Sequence, residues 1–143
     1  MIIIGLDNGF EIRSKSYDGD QFLEEFGQSY PDFVKTYGSH KVYELAYWRK
    51  CYNIRQKMLD SFPQFKDAEG GTIKISELPK LKGILIYFLK KKNWTEDGSS
   101  IWTWEEQLPC IANQIFLITK LMEDIEDEGI TDDDIEIEFY DSY

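Results

Sequence analysis

The sequence predicts an α+β domain in which about four helices pack on a small mixed or antiparallel sheet that includes the N- and C-terminal strands. Residues from Asp134 to Tyr140 alternate between acidic and apolar types, as a half-buried strand does. Apolar residues between Leu108 and Ile125 recur every three or four positions, which is typical of an amphipathic helix. With 143 residues, 42% of them hydrophobic, the chain is long enough for a single globular domain over 1–143.

The first forty residues predict a strand region followed by two short helices. Two β-prone stretches flank Asp7-Asn8-Gly9, and they form either one bulged strand or a short hairpin. Asp18-Gly19-Asp20 offers an N-cap for a first helix, which Gly27 interrupts. A second short helical turn ends at Gly38.

The middle of the chain predicts a helix, a strand and a second helix. Ser39 is a candidate N-cap for a helix from His40 to Phe62, which Pro63 ends. The apolar residues of this segment fall on one side of a helix, namely Leu45, Trp48, Tyr52 and Leu59. A short strand over Thr72–Ile75 then leads into a helix that Ser76 caps and that runs to Lys92.

The C-terminal part predicts the longest helix and a final strand. Thr103-Trp104-Glu105-Glu106 has the pattern of a capping box at the helix start, and Gly129 ends the helix. In the strand that follows, the apolar residues Ile135, Ile137 and Phe139 face one way, and Glu136, Glu138 and Tyr140 face the other.

The net charge of −11 is concentrated at the C-terminal end of the chain. Residues 123–143 contain 11 acidic residues and no Lys or Arg, which leaves 16 acids and 16 bases over 1–122. Such a charge distribution repels nucleic acid and anionic membranes and attracts basic protein surfaces. We therefore expect a protein partner, with no direct contact to nucleic acid or membrane.

Other features predict a cytoplasmic protein. The N-terminus lacks the basic, apolar pattern of a signal peptide, and no apolar run approaches the ~20 residues that span a bilayer. Cys51 and Cys110 form no C-x-x-C pair, and we expect both to be reduced and buried. The oligomeric state stays open.

Several segments of the chain resemble a family of small proteins encoded mainly in bacteriophage and prophage genomes. The shared segments are Gly5-Leu6-Asp7, the Tyr47–Arg55 segment that begins Tyr-Trp-Arg-Lys, Ile73–Leu78 and the aromatic C-terminal end Phe139–Tyr143. The resemblance implies a phage or prophage origin and a compact cytoplasmic protein of the host cell, and it places Tyr-Trp-Arg-Lys on a helix. Arg55 stands where the family usually has His, so a proton-transfer role for that His is not available here.

Two groups of residues are candidate binding sites. The first is an acidic surface that would contact a basic surface of a host or competing protein, as an inhibitor or anti-defence protein would. It consists of Asp132, Asp133, Asp134, Glu136, Glu138 and Asp141. A surface that only keeps the protein soluble, and mimicry of nucleic acid, are alternative interpretations of the same residues.

The second group would bind a small anion or nucleotide, because Arg recognises carboxylates and phosphates and Asn offers both a donor and an acceptor. It consists of Arg49, Asn53, Lys57, Trp102 and Trp104. A structural ion pair of Arg49 is the alternative. With His40 as the single histidine we find no catalytic triad, and we also find no phosphate-binding loop and no EF-hand, so we assign no catalytic residue, metal or cofactor. We favour a non-enzymatic protein, although a minor enzyme stays possible.

Overall fold

The computed structural model describes residues 7–65, 70–91 and 103–142. The described residues form five strands and four α-helices, joined by short 3₁₀ turns. In chain order these elements are β1 (Asp7–Ser14), α1 (Tyr17–Ser29), β2 (Val34–Tyr37), β3 (His40–Arg49), α2 (Tyr52–Ser61), β4 (Gly70–Ile73), α3 (Leu78–Lys90), α4 (Trp104–Glu128) and β5 (Ile135–Ser142).

The strands form one sheet in the order β2-β3-β1-β5-β4, and every neighbouring pair is antiparallel. The first and last described strands, β1 and β5, therefore lie side by side at its centre. This arrangement confirms the predicted α+β class, with four helices and a sheet that contains both terminal strands. Asp7-Asn8-Gly9 lies within β1, so these residues do not form a turn.

The two faces of the sheet differ in burial because successive side chains of a strand point to opposite faces. Phe10 and Ile12 of β1 and Ile137 and Phe139 of β5 are at most 2% exposed and belong to the hydrophobic core. The residues between them remain partly exposed on what we call the open sheet face. This face is defined by Glu11, Glu44, Glu136, Glu138 and Tyr140.

The predicted helix from His40 to Phe62 is wrong in its first half. Residues His40–Arg49 form β3, which pairs with both β1 and β2, and helix α2 begins only at Tyr52. Lys50 lies between the two elements and adopts a positive φ of 56°, so the backbone leaves the extended conformation there. The Tyr-Trp-Arg part of the family motif thus ends a strand and does not lie on a helix.

The preceding segment is also a strand. Val34–Tyr37 forms β2, where the sequence predicts a short helical turn. Tyr37 pairs with His40, which leaves a two-residue hairpin loop that contains Gly38 at φ 65°. Two-residue hairpin loops favour positive φ, so Gly38 serves a hairpin and not a helix end.

The C-terminal half follows the sequence prediction closely. The side chain of Thr103 accepts a hydrogen bond from the backbone N–H of Glu106, and Gly129 ends α4 in the left-handed conformation. Strand β5 also occupies the predicted segment, whereas α3 begins at Leu78 after a 3₁₀ turn, so the predicted N-cap at Ser76 is wrong. None of the helices in the described ranges combines the length and the apolar character that a bilayer crossing requires.

A buried ion pair connects α2 to the centre of the sheet. Arg55 donates two hydrogen bonds of 2.9 Å to the carboxylate of Asp141 in β5, and its side chain is 14% exposed. The side-chain amide of Asn8 in β1 donates to the same carboxylate. Buried charges of this kind need all their partners, because one unpaired charge in the interior is very unfavourable.

We expect Arg55→Met to lower the free energy of unfolding by about 3–5 kcal/mol, because it leaves the Asp141 carboxylate buried without its counterion. Adding Asp141→Asn should restore most of this loss, because the uncharged amide still offers Asn8 an acceptor. Urea denaturation measures both effects. The control is Arg13→Met, whose exposed pair with Glu138 spans 3.6 Å and is worth at most about 1 kcal/mol. Equal losses for the two single variants would contradict the prediction.

Candidate functional site

The six predicted acidic residues do not form one surface, and the side chain of Asp141 points away from it. Its side chain is 7% exposed and binds Arg55 and Asn8 on the helix-covered side of the sheet. Asp141 has the same strand parity as Ile137 and Phe139, so it points inward with them. Its inclusion in the acidic surface is therefore wrong.

Two of the remaining residues stabilise the turn between α4 and β5. Asp134 accepts hydrogen bonds from the backbone N–H of Thr131 and from the hydroxyl of Ser16, and these bonds lower the pKa of its carboxyl. Asp132 accepts from the backbone N–H of Ile75. Between them, Asp133 is exposed to solvent. The turn thus presents one carboxylate, at Asp133, with no structural hydrogen bond from its side chain among the described residues.

Glu136 and Glu138 lie on the open sheet face, where they meet acids from outside the C-terminal segment. Glu44, Glu11 and Glu138 are register partners across β3, β1 and β5 and form a row. Burial raises the pKa of Glu11 and of Glu44, and the neighbouring glutamates raise both further. Basic groups offset part of this charge, since Arg13 and Lys35 lower the same pKa values.

A third group of acids lies at the C-terminal end of α4. We define the acidic end as Asp124, Asp127 and Glu128 of α4 and Glu25 of α1. Burial raises the pKa of Asp124, Asp127 and Glu123 raise it further, and Lys120 lowers it in part. Burial also raises the pKa of Glu128, with Glu25, Asp124 and Asp127 as additional causes.

Two features make the acidic end unfavourable for the fold itself. The last turn of α4 contains no basic residue, although the negative end of the helix dipole favours Lys or Arg there. Helix α1 also carries acidic residues and no Lys or Arg, so it adds negative charge beside α4. Negative charge is therefore concentrated at the end of α4 where the helix dipole is already negative and disfavours it.

The predicted anion site is not assembled as the sequence suggested. Arg49 lies at the end of β3, whereas Asn53 and Lys57 lie on α2, so the three residues do not share a helix. The Lys57 ammonium lies 5.0 Å from the centre of the Tyr87 ring, against α3. Trp102 lies outside the described residues.

Trp104 is half-buried in the first turn of α4 and packs against the core. Its indole N–H is buried and finds no acceptor among residues 7–65, 70–91 and 103–142. Of the two cysteines, Cys51 is buried and Cys110 is exposed, so the prediction that both are buried is wrong for Cys110. The exposure follows from the position of Cys110 on the outer side of the α4 apolar stripe.

A cavity of about 400 Å³ lies between the end of β3 and the first turns of α4. Its lining residues are Tyr47, Trp48, Arg49, Glu106, Gln107 and Cys110. Gln107 is 9% exposed, and sequence reasoning missed it because polar residues were assigned to the surface. A signal for it exists, since Gln107 and Gln114 occupy two places in the four-three repeat that continues through Ile111, Ile118 and Ile125.

Comparisons with known proteins leave the family open. No protein-family model matches the sequence, and no curated protein or solved structure gives a significant match. The resemblance to phage and prophage proteins stays a prediction. Among the described residues, no group of three or more His, Cys, Asp and Glu side chains is arranged to hold a metal ion.

We expect the triple change Asp124→Asn, Asp127→Asn and Glu128→Gln to stabilise the protein at pH 7 and low salt. The gain should be roughly 1 kcal/mol, or about 2–4 °C in the melting temperature, because it removes charge from the wrong end of a helix. A carboxyl group whose pKa is higher in the folded state than in the unfolded state destabilises the fold only while it is ionised. The gain in stability should therefore shrink as the pH falls towards 4, because these carboxylates then become protonated in both the folded and the unfolded protein.

The matched control for this triple change is Glu105→Gln at the opposite end of α4. Glu105 lies in the first turn, where the helix dipole favours a carboxylate, so its neutralisation should lower the melting temperature. A triple variant that melts at the same temperature as the unmodified protein at every pH would contradict the electrostatic interpretation.

Proposed function

We propose that the protein acts by binding the basic surface of another protein, of the host cell or of a competing phage, through the acidic end. The observation that carries this proposal is the like-charge repulsion among Asp124, Asp127, Glu128 and Glu25. Repulsion of this kind lowers stability, and a basic partner would relieve it. The proposed setting is the cytoplasm of the host cell, where such a protein would inhibit its target or counter a defence system.

Charge distribution supports the acidic end over the other acidic groups. The open sheet face includes Arg13 and Lys35 near its glutamates, which reduces its net charge. At the acidic end, Lys120 of α4 pairs with Glu123 at 3.4 Å and lowers the pKa of Asp124, whereas the pKa of Glu128 is raised by burial and by acids alone. A basic partner would therefore find carboxylates with less compensation around Glu128 than on the open sheet face.

The choice of the acidic end also changes which residues are expected to contact the partner. Asp133, predicted from the sequence, is exposed in the turn that follows α4 and is not one of the acids that interact at the acidic end. Asp132 and Asp134 act mainly within the turn, and Glu136 and Glu138 belong to a different face. Glu25, which is far from the acidic segment in sequence, joins the contact through the packing of α1.

The test compares two variants with the same change in net charge. The first neutralises Glu25, Asp124, Asp127 and Glu128, and the second neutralises Glu11, Glu44, Glu136 and Glu138 on the open sheet face. A partner isolated from host lysate should bind the first variant at least ten times more weakly, since electrostatic contacts contribute both affinity and association rate. The second variant should bind within about threefold of the unmodified protein.

Salt supplies an independent measure of the same contact. Affinity of the unmodified protein should fall steeply as salt rises, and the first variant should lose most of this dependence because the charges responsible are absent. Surface plasmon resonance measures both quantities. Equal weakening of the two variants, or recovery of no partner at low salt, would count against the proposal.

A further inference from the structure

An aromatic row crosses three strands on the open sheet face. Gly9 of β1 pairs with Tyr47 of β3 on one side and with Tyr140 of β5 on the other, and directly paired residues of antiparallel strands point to the same face. A Cβ atom at Gly9 would lie 2.6 Å from the hydroxyl oxygen of Tyr140 and 2.8 Å from its Cζ atom. The Tyr140 ring therefore lies over the glycine, and Tyr140 stays partly exposed to solvent.

The two tyrosine rings are held in defined positions. The hydroxyl of Tyr47 donates to the carboxylate of Asp7 at 2.6 Å, and Tyr47 is 39% exposed. Burial and this hydrogen bond raise the pKa of Tyr47 to about 12. Burial also raises the pKa of Tyr140, and Glu44 and Glu11 raise it further, which places the phenol close to these carboxylates. Both rings are thus neutral aromatic surfaces that are positioned before any ligand binds.

A row of carboxylates lies beside the aromatic row, two residues further along β1. Glu11 pairs with Glu44 of β3 and with Glu138 of β5, so like charges face one another across neighbouring strands. Like charges in directly opposite positions destabilise a sheet. Burial leaves the pKa of Glu11 and of Glu44 raised, although basic groups act against this shift, namely Arg13, His40 and Lys35. The row is therefore unfavourable for the fold alone, and a bound cation would relieve the repulsion.

The linear arrangement of the carboxylates selects the kind of cation. Adjacent strands lie about 4.8 Å apart, so the carboxylates of the row follow a line and do not converge on one point. Among residues 7–65, 70–91 and 103–142, no group of three or more His, Cys, Asp and Glu side chains is arranged to hold a metal ion. The row therefore suits a ligand whose positive charges are also spaced along a line, with apolar segments between them.

We propose that the open sheet face binds a linear polyamine, meaning an aliphatic chain that carries several ammonium groups. The charges of ligand and site are complementary, because the ammonium groups pair with Glu44, Glu11 and Glu138. The methylene segments between them pack on Tyr47 and Tyr140. An ammonium group is also attracted to the face of an aromatic ring.

The polyamine site differs from the acidic end in the range of its interactions. A basic protein surface responds to a field that extends over a Debye length, about 8 Å at physiological salt. A small organic cation needs carboxylates and aromatic surface within contact distance, and the open sheet face has both. The exposed 3.6 Å pair of Arg13 with Glu138 does not block the row, because such pairs are weak. The polyamine site does not depend on the protein-binding function.

Calorimetry at low salt tests the proposal with spermidine, putrescine and Mg²⁺ and the unmodified protein. Spermidine should bind more tightly than putrescine, because it carries more ammonium groups, and more tightly than Mg²⁺, because a point charge reaches only part of the row. The double change Glu11→Gln and Glu44→Gln should weaken spermidine binding by about tenfold or more, since it removes charged hydrogen bonds. This variant should fold, because it removes two charges that face one another.

The matched control is the double change Asp124→Asn and Asp127→Asn at the acidic end. It alters the net charge by the same amount and should leave spermidine binding within about twofold of the unmodified protein. A second measurement uses the unmodified protein: NMR should show spermidine shifting the ring signals of Tyr47 and Tyr140. Three outcomes would overturn the proposal. They are no binding of spermidine, equal weakening by the two double variants, and binding of Mg²⁺ at least as tight as that of spermidine.

Discussion

The one-sided burial of the five-stranded sheet is the constraint on which the rest of the structure depends. Because side chains alternate along a strand, a residue's parity decides whether it enters the core or faces away from it. Phe10 and Phe139 fix the parity of β1 and β5, and Asp141 then has to point inward. The pair with Arg55 follows from this requirement, since a carboxylate can remain in that position only with a counterion.

Local signals predicted the elements that depend on local interactions. The cap at Thr103, the left-handed Gly129 and the alternation of β5 are all short-range patterns, and the structure has each of them. The error at β3 has the opposite origin. Leu45 and Trp48 are spaced as on a helix, but pairing with β1 and β2, which are distant in sequence, determines the conformation.

In the candidate sites, too, some features are visible in the sequence and others depend on tertiary packing. The acidic run is visible in the sequence, but its distribution over the turn, the open sheet face and the acidic end depends on the packing of α1 and β1. Glu25 could not be assigned to the acidic end from sequence, because its proximity to Glu128 is purely tertiary. The alternation of β5 alone would have excluded Asp141 from the acidic surface, because it places this side chain on the same face as Ile137 and Phe139. The two buried glutamines of α4 were detectable as polar residues in an apolar repeat, whereas the cavity beside Gln107 was not.

Because β2 is shorter than β3, helix α4 also covers part of the exposed edge of β3. Strand β2 covers β3 only as far as Tyr43, and beyond it no described strand lies on that side. At Tyr47 the amide of Gln114 takes the place of a strand, donating to a carbonyl that would otherwise be available to another chain. Exposed strand edges promote aggregation. Detachment of α4 would uncover this edge together with the indole of Trp48, so anchoring of the helix and protection from intermolecular association are coupled.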